Sequence, residues 1–454
     1  MITRRVRYEI VSRAVGPMLM AMERWGSRLG GRRGGAAKGP FGPPLESTRK
    51  LKELTTLHYL SGRCADGAVP VAWVTSGFPV EVLRPLGFHT VYPENHGAIC
   101  SVKRMVPELS EAAEREGYSR DLCGYARADL GSVATGKTPV GRLPRPDLLC
   151  CCTNICQTVL YWYRALAAHF RVPLAIIDTP FVYGEAQPHL LTYVADQLRE
   201  LTRAAERVAG RKVDRAALAE TMRLAREGTR LWDECLRAGI ARPSPWTGFD
   251  SFFHLAPIVA MRGTRECNAY YRMLRDELND RVARGVGGIA DERVRLLWDN
   301  LPIWFNLRDL STVLAANGFN IVCATYTNAW AEAGSMIDPA DPEGSAARAY
   351  LHVLLNRDLP YKLSIMKRLC REYGATGAIF HSDRSCKPYS IGQIDLKGRL
   401  ASEEGVKGVL LEADHADPRA WSEAQAYNRL HAFMELFEDA DDPAGTGNPD
   451  IPRG

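Results

Sequence analysis

The chain has 454 residues, of which 46% are hydrophobic and 24% are charged, and its formal net charge is +5. This composition is typical of a globular protein with two or three domains and excludes a fibrous or largely disordered chain. Much of the positive charge precedes Leu51, and the rest of the chain has no basic stripe interleaved with aromatic residues. Nucleic acid is therefore not an expected partner. A membrane is not expected either, because no apolar run approaches the roughly 20 residues that cross a bilayer.

Residues 1–50 predict a disordered basic extension. They contain several early arginines and the run GRRGGAAKGPFGPP, whose Gly and Pro content argues against packed structure. The segment has no hydrophobic core followed by a cleavage site, so it does not predict a secretory signal. Without secretion, the twelve cysteines are expected to be reduced thiols in the cytoplasm, available to a metal or cluster. A second disordered segment is predicted at 441–454.

Strand and helix patterns alternate in residues 51–190 and predict an N-terminal α/β lobe. The strand patterns are VPVAWVT (69–75), FHTVY (88–92), LLCCC (148–152) and LAIID (174–178). We expect one helix to begin near Pro79, and another to be capped by Thr153 or Asn154. A strand–helix–strand unit of this kind predicts a parallel sheet.

Long amphipathic helical patterns fill residues 191–290, and a second α/β lobe is predicted at 291–440. Its strand patterns are NIVCATY (320–326), ATGAIF (375–380) and GVLLEAD (408–414). The expected fold class is therefore α/β, with two flavodoxin-like parallel-sheet lobes joined by a helical segment.

Two polar residues follow predicted strands of the first lobe. Ser76 comes after the first strand and Glu94 after the second. In an open parallel sheet, the carboxyl edge is where ligands bind, which makes both residues candidates for a site. The alternative is that they are ordinary loop and cap residues.

Cys123, Cys156 and Cys386 each lie at or just after a predicted strand–loop–helix junction. Cys156 is expected in the first turn of its helix, where free N–H groups favour a thiolate. Three thiolates converging between two lobes would suit an iron–sulfur cluster with one iron open to an outside ligand. Zinc would require a fourth protein ligand or a water. Plain packing is the alternative for any one of these cysteines, since their separations match no compact CxxC signature.

At these residues the sequence resembles the 2-hydroxyacyl-CoA dehydratases, most closely the alpha subunit of 2-hydroxyglutaryl-CoA dehydratase. The resemblance extends over roughly residues 50–435. The segments that carry it are SGFPVEVLRPLGFHTVYPEN (76–95), GYSRDLCGYARADLG (117–131), PDLLCCCTNICQTVLYWY (146–163), RSCKPYS (384–390) and ADHADPR (413–419).

The resemblance implies a catalytic site and a cofactor. It implies that Cys123, Cys156 and Cys386 ligate one [4Fe-4S] cluster around which the lobes pack, with the fourth iron facing the substrate thioester. It places Ser76 and Glu94 at the positions of the family's active-site serine and glutamate. The implied reaction is the syn-type removal of water from an (R)-2-hydroxyacyl-CoA to an enoyl-CoA, through a ketyl radical. The sequence leaves open whether FMN also binds.

The resemblance also implies two protein partners. One is a related second subunit that forms a heterodimer, and the other is an ATP-hydrolysing iron–sulfur activator that injects one electron. The chain has no GxxxxGK[ST] motif, which fits an ATPase on a separate polypeptide. Two alternatives remain: a benzoyl-CoA reductase-type subunit, which shares the cysteine framework, and a non-catalytic scaffold that binds a CoA ester.

Overall fold

A computed structural model describes residues 3–15, 18 and 39–438. The predicted disordered tail at 441–454 lies outside the described residues, as do residues 1–2, 16–17 and 19–38 of the predicted extension. Within the described part of that extension, Arg4–Ile10 is helical, and the Gly42 N–H donates to the carbonyl of Gly288 over 2.9 Å. The chain from Gly39 onward therefore contacts the body of the protein, while the predicted domain boundaries stay predictions.

The first sheet has four parallel strands in the order β2-β1-β3-β4. Its strands are β1 (Val71–Val74), β2 (His89–Val91), β3 (Leu148–Cys152) and β4 (Leu174–Ile177). All four are short and all but β2, which contains His89 and Thr90, are apolar. The strands β1, β2 and β3 are buried throughout, as expected for a parallel sheet covered on both faces. All four were predicted from the sequence.

The second sheet repeats this arrangement, with parallel strands in the order β6-β5-β7-β8. Its strands are β5 (Val294–Asp299), β6 (Phe319–Ala324), β7 (Gly377–Asp383) and β8 (Lys407–Ala413). The sequence predicted three of them and missed β5, a central strand. The chain therefore has an α/β fold that contains two sheets, each made of parallel strands.

Helices cover both sheets and form the segment between them. Near the first sheet they are Ser47–Gly62, Pro93–Val102, Val106–Arg115, Gly124–Thr135 and Thr158–Phe170. The middle segment contains Pro188–Ala209, Arg215–Arg237, Gly248–His254, Ala256–Ala260 and Arg265–Ala283. Near the second sheet they are Leu307–Ala316, Thr325–Glu332, Pro342–Leu351, Leu359–Tyr373, Lys387–Ser390, Gln393–Glu404 and Glu423–Glu435. None of the helices in the described ranges combines the length and apolarity that crossing a bilayer requires.

Two local predictions were wrong. The helix expected near Pro79 is a single 3-10 turn, Val80–Val82. The helix after β3 begins at Thr158, so neither Thr153 nor Asn154 caps it and Cys156 precedes it. Both side chains have other partners: Thr153 bonds the hydroxyl of Thr179, and Asn154 donates to the carbonyls of Gly77 and Tyr350.

A shared hydrophobic core joins the two sheets. Trp73 and Leu149 from the first sheet and Trp298 and Ile379 from the second belong to the same buried cluster, together with Phe252 of the middle segment. The opposite face of the first sheet packs mainly on the middle helices, and that of the second sheet has a smaller core. The two lobes are thus packed against each other rather than connected by a linker.

Candidate active site

A large cavity of about 1090 Å³ lies where the two lobes and the middle segment meet. Its lining is mostly apolar and includes Phe252, Trp304 and Trp330. All five of the predicted site residues reach it: Ser76, Glu94, Cys123, Cys156 and Cys386. The fold therefore brings together residues that are more than 300 positions apart in the sequence.

Parallel strands explain why four of these residues meet. Ser76, Glu94, Cys156 and Cys386 each follow the carboxyl end of a strand (β1, β2, β3 and β7, respectively), which is the ligand-binding edge of an open α/β sheet. Cys123 arrives differently from what the sequence predicted. It precedes helix Gly124–Thr135, and the element before it is helix Val106–Arg115 rather than a strand.

Ser76 and Glu94 contact each other directly. The Ser76 backbone N–H donates to Glu94 Oε1 over 3.0 Å, and Ser76 Oγ lies 3.5 Å from Asn95 Oδ1. Burial raises the pKa of Glu94 to about 7, although the hydrogen bond from Ser76 opposes the rise. A carboxyl group with a pKa near neutrality can both give and take a proton, which is what general acid–base chemistry requires.

The thiols of Cys156 and Cys386 are strongly perturbed by their surroundings. Burial raises the pKa of Cys156 to about 12, a charge on Cys123 adds to the rise, and the backbone N–H groups of Thr158 and Val159 oppose it. Burial also raises the pKa of Cys386 well above its usual value, with contributions from Asp383, Cys156 and Cys123. These effects are consistent with the shared position of the three cysteines at the cavity, where burial disfavours a bare thiolate.

Cys123 lies next to a buried histidine. His415 Nε2 is 3.7 Å from Cys123 Sγ, and His415 Nδ1 is 2.6 Å from Asp383 Oδ2. Burial lowers the pKa of His415, but the carboxylates of Asp383 and Asp414 outweigh it and hold that pKa well above its usual value. Arg127 in turn bonds Asp414 at 3.3 Å and Asp417 at 2.7 Å, so a buried cation lies beside these carboxylates.

Comparisons with known proteins bear on this arrangement. Residues 75–437 match the family described as 2-hydroxyglutaryl-CoA dehydratase, D-component. The chain belongs to this family. It is 33% identical over 374 residues to the (R)-2-hydroxyisocaproyl-CoA dehydratase alpha subunit of Clostridioides difficile, covering 82% of this chain and 90% of that protein.

Two further relatives show how wide the family is. The (R)-phenyllactyl-CoA dehydratase alpha subunit of Clostridium sporogenes is 31% identical over 404 residues, covering 86% of this chain and 98% of the relative. One of the subunits of benzoyl-CoA reductase from Thauera aromatica is 27% identical over 407 residues, covering 86% and 94%. The chain is thus similar to subunits of both dehydratases and a reductase.

The donor atoms at the cavity fit an iron–sulfur cluster better than a single ion. Three thiols are the soft donors that iron–sulfur clusters use. A tetrahedral zinc with bonds of about 2.3 Å would hold its sulfurs within about 4 Å of one another. Among the described residues, the group whose ligand atoms all lie within 4.8 Å is Asp383, Asp414 and His415, and the cysteines do not form such a group. Their wider arrangement suits a larger centre.

Several residues beside the site were not identified from the sequence. His415 contacts Cys123 and is bonded to Asp383, while Asp129 and Tyr163 interact with Glu94. Asp129 carried a signal, because an acidic residue four positions after Tyr125 falls on the buried face of its helix. His415 carried the same signal as Ser76, because it follows the carboxyl end of β8, but its hydrogen bond with Asp383 of β7 could not be read from the sequence.

Proposed function

We propose that this chain is the alpha-type subunit of a 2-hydroxyacyl-CoA dehydratase, which removes water in a syn-type elimination from an (R)-2-hydroxyacyl-CoA to give an enoyl-CoA. The supporting observation is the convergence of Ser76, Glu94 and three cysteines on one apolar cavity in a member of the family. The proposal includes two flavodoxin-like lobes, because each sheet has the strand order of that fold without its fifth strand.

Cys123, Cys156 and Cys386 are the residues that would hold a [4Fe-4S] cluster. When bound, such a cluster supplies one-electron chemistry and a Lewis-acidic iron at the cavity. The cysteines occupy an apolar site that limits access of water, which strengthens electrostatic interactions inside it. The proposed partners are a related second subunit and a separate ATP-hydrolysing activator that delivers the electron.

Glu94 and Ser76 have distinct roles in this proposal. The β-hydrogen of a 2-hydroxyacyl thioester is not acidic, and adding one electron to the thioester, which gives a ketyl radical, labilises the 2-hydroxyl and acidifies that hydrogen. Glu94 protonates the departing hydroxyl oxygen and then accepts the β-proton. The Ser76 N–H holds the carboxyl of Glu94 in place, and its hydroxyl is available to the oxygen of the thioester or of the hydroxyl group.

The rim of the cavity has the charge that a CoA ester requires. Arg49, Lys52 and Lys103 line the cavity, are exposed, and have no side-chain partner among the described residues. Cations at the mouth of an apolar cavity complement the phosphates of CoA, while the cavity itself takes the acyl group and the pantetheine arm.

The benzoyl-CoA reductase type is the second candidate, and the observation that favours it is the 27% identity to the Thauera aromatica reductase chain. The deciding experiment is an anaerobic assay with the chain, its second subunit, activator, ATP, reductant and a panel of acyl-CoAs. We expect enoyl-CoA from a 2-hydroxyacyl-CoA. Dearomatised product from benzoyl-CoA would replace the proposal with a reductase, and the absence of either product would leave a CoA-ester-binding scaffold.

The same assay tests Glu94. We expect Glu94→Gln to retain the iron content of the wild type and to lower kcat by about 10²-fold or more, because an acid–base group is lost. Glu108→Gln, which changes an exposed carboxyl, is the control and should leave kcat unchanged. A wild-type kcat in Glu94→Gln would remove Glu94 from the mechanism.

A further inference from the structure

Four lysines and arginines line the cavity in the described part of the chain, and three of them lie at its rim. Arg49, Lys52 and Lys103 are exposed, whereas Arg262 of the middle segment is only 6% exposed. Lys103 lies at the other end of the helix whose first turn contains Glu94, roughly 13 Å along the axis. Arg262 is therefore the basic residue that faces the inner part of the cavity.

Four hydrogen bonds hold the guanidinium of Arg262. Its Nε donates to Glu81 Oε1 over 2.7 Å, and its Nη1 donates to the carbonyl of Ile258 over 3.3 Å. Its Nη2 donates to the carbonyl of Phe78 over 3.1 Å and to the Tyr350 hydroxyl over 2.5 Å. Tyr350 donates in turn to the second oxygen of Glu81 over 2.8 Å. The positive charge of Arg262 is thus neutralised by a buried carboxylate of the protein itself.

The wall that the second lobe contributes has no charged side chain. We call the cavity-lining residues between 326 and 355 the second-lobe wall, and none of them is Asp, Glu, Lys, Arg or His. Phe252 of the middle segment continues this wall, with its ring centroid 6.4 Å from that of Tyr326. Trp330 follows on the same helix as Tyr326, and its ring centroid is 5.7 Å from Cζ of Arg262. Apolar surface therefore extends up to the buried ion pair.

The histidine and the acidic residues of the described lining offer no positive charge either. Burial lowers the pKa of His58 to about 4, so its ring is neutral at pH 7. The acidic lining residues are Glu53 and Glu94, which do not attract an anion. A substrate carboxylate inside the cavity would lose its hydration and gain no cation, which is strongly unfavourable.

We propose that the acyl group bound here has an uncharged, apolar side chain, and that Glu81 excludes a dicarboxylic acyl group by neutralising Arg262. The inference rests on the proposed function, since it names the acyl class of the 2-hydroxyacyl-CoA. In a 2-hydroxyglutaryl group the second carboxylate is two bonds from the β-carbon, so it enters the cavity with the reacting atoms instead of staying at the rim. Glu81 is a positioning residue, because it acts through Arg262 and does not line the cavity.

The first test compares two substrates of the same shape in the complete, cluster-loaded wild-type complex. They are (R)-2-hydroxyglutaryl-CoA and (R)-2-hydroxy-5-methylhexanoyl-CoA, in which two methyl groups replace the carboxylate oxygens. We expect kcat/KM to be at least about tenfold higher for the apolar substrate, because the carboxylate would be buried without a cation. A smaller preference, or the reverse one, would overturn the proposal.

The second test removes the charge of Glu81 and keeps its shape. Glutamine can still bond Arg262 and Tyr350, but it leaves the guanidinium charge for the substrate. We expect Glu81→Gln to reduce the preference for the apolar substrate by at least about tenfold, mainly through a lower KM for 2-hydroxyglutaryl-CoA. Glu292→Gln is the matched control, because it breaks the buried pair Glu292–Arg295, at 2.6 Å, which does not line the cavity. It should leave the preference unchanged even if it lowers stability.

A second variant keeps the test open if Glu81→Gln does not fold. Ala333→Lys adds a cation to the second-lobe wall and leaves the ion pair intact. We expect it also to reduce the preference for the apolar substrate, since a carboxylate in the cavity would then have a partner. If no folded variant with an added or released cation changes the preference, the proposed basis of acyl selection is wrong.

Binding of unreactive analogues separates this inference from the proposed function. Glutaryl-CoA and 5-methylhexanoyl-CoA lack the 2-hydroxyl group and cannot be dehydrated, so their Kd values, measured by calorimetry, report the cavity alone. We expect the apolar analogue to bind at least about tenfold more tightly to the wild type. If the complex dehydrates neither hydroxyacyl-CoA while this preference holds, the dehydratase proposal fails and the inference stands. If it dehydrates both equally well, the inference fails and the dehydratase proposal stands.

Discussion

Cys123, Cys156 and Cys386 reach the cavity, whereas eight of the other cysteines are buried in packed cores. This difference in environment distinguishes a ligand from a core thiol more clearly than the sequence did. Cys151 is the most useful comparison, since it precedes Cys156 by five residues and is completely buried in β3. A buried cysteine of this kind packs as a small apolar side chain.

The cysteines should therefore respond differently to substitution. We expect the Ser variant of Cys123, Cys156 or Cys386 to lose most of the iron after anaerobic purification, because a hydroxyl is a poor substitute for a soft thiolate. The wild type should contain about four iron and four sulfide per chain and bleach in air. Iron and sulfide analysis measures the effect, and Cys151→Ser is the matched control. Full iron content in Cys156→Ser, with loss in Cys151→Ser, would show that the wrong cysteine was assigned.

At the scale of elements, the close crossing of two helices positions Cys123. Helices Val106–Arg115 and Gly124–Thr135 pack so tightly that a Cβ on Gly131 would lie 1.8 Å from the carbonyl oxygen of Leu109. Gly398, in helix Gln393–Glu404, has no atom within 4 Å of the same position. Both glycines are thus helical, but Gly131 is tightly packed and Gly398 is not.

Alanine at these two positions should change stability in opposite directions. Gly131→Ala must push the helices apart, and we expect it to lower the free energy of unfolding by about 1–3 kcal/mol. Gly398→Ala should raise it by about 0.5–1 kcal/mol, because alanine is the better helix former and nothing obstructs it. Urea denaturation of both variants measures the difference. Equal effects of the two substitutions would contradict the tight crossing.

The elements that were not predicted from the sequence share a physical cause. Each contains a polar residue that forms a hydrogen bond with a residue far away in the sequence. In β5 the buried Arg295 bonds Glu292 and the carbonyl of Tyr373, so a charged residue interrupts a strand that is otherwise apolar. Asn154 resembled a helix cap but bonds a distant carbonyl instead. Apolar strands such as β3 were predicted because burial alone determines their pattern. At the site, Ser76 and Glu94 were found from their positions after strands. The pairing of His415, which follows β8, with Asp383 of β7 was not found, because it depends on how two strands lie beside each other.

At the scale of the whole molecule, one buried cluster joins all three parts of the chain. Arg262 of the middle segment bonds Glu81 of the first lobe at 2.7 Å and the Tyr350 hydroxyl of the second lobe at 2.5 Å. Tyr350 also donates to Glu81 over 2.8 Å. All three side chains are buried, so each polar group depends on the others for its hydrogen bonds.

Removing one member of this cluster should be costly. We expect Arg262→Leu to lower the free energy of unfolding by about 3–5 kcal/mol, because it leaves Glu81 buried and without its cation. The double variant Arg262→Leu and Glu81→Leu should be less destabilised than the single one. The exposed pair Arg223–Glu220 is the control, and Arg223→Ala should cost less than about 1 kcal/mol. A loss of stability in Arg262→Leu no greater than in Arg223→Ala would contradict the role of the cluster.

Several helices begin at the cavity, and their N-terminal partial charges affect its electrostatics. Helices Pro93–Val102, Gly124–Thr135, Thr158–Phe170 and Thr325–Glu332 all begin among its lining residues. Each contributes roughly half a unit of positive charge at its first turn. These four helix starts thus place positive partial charges from peptide dipoles at the cavity wall, which no side-chain substitution removes. Beside one of these starts, an occupant that can exist in two charge states is accordingly favoured in the more negative one, so that adding an electron or losing a proton is easier there than in the surrounding apolar core.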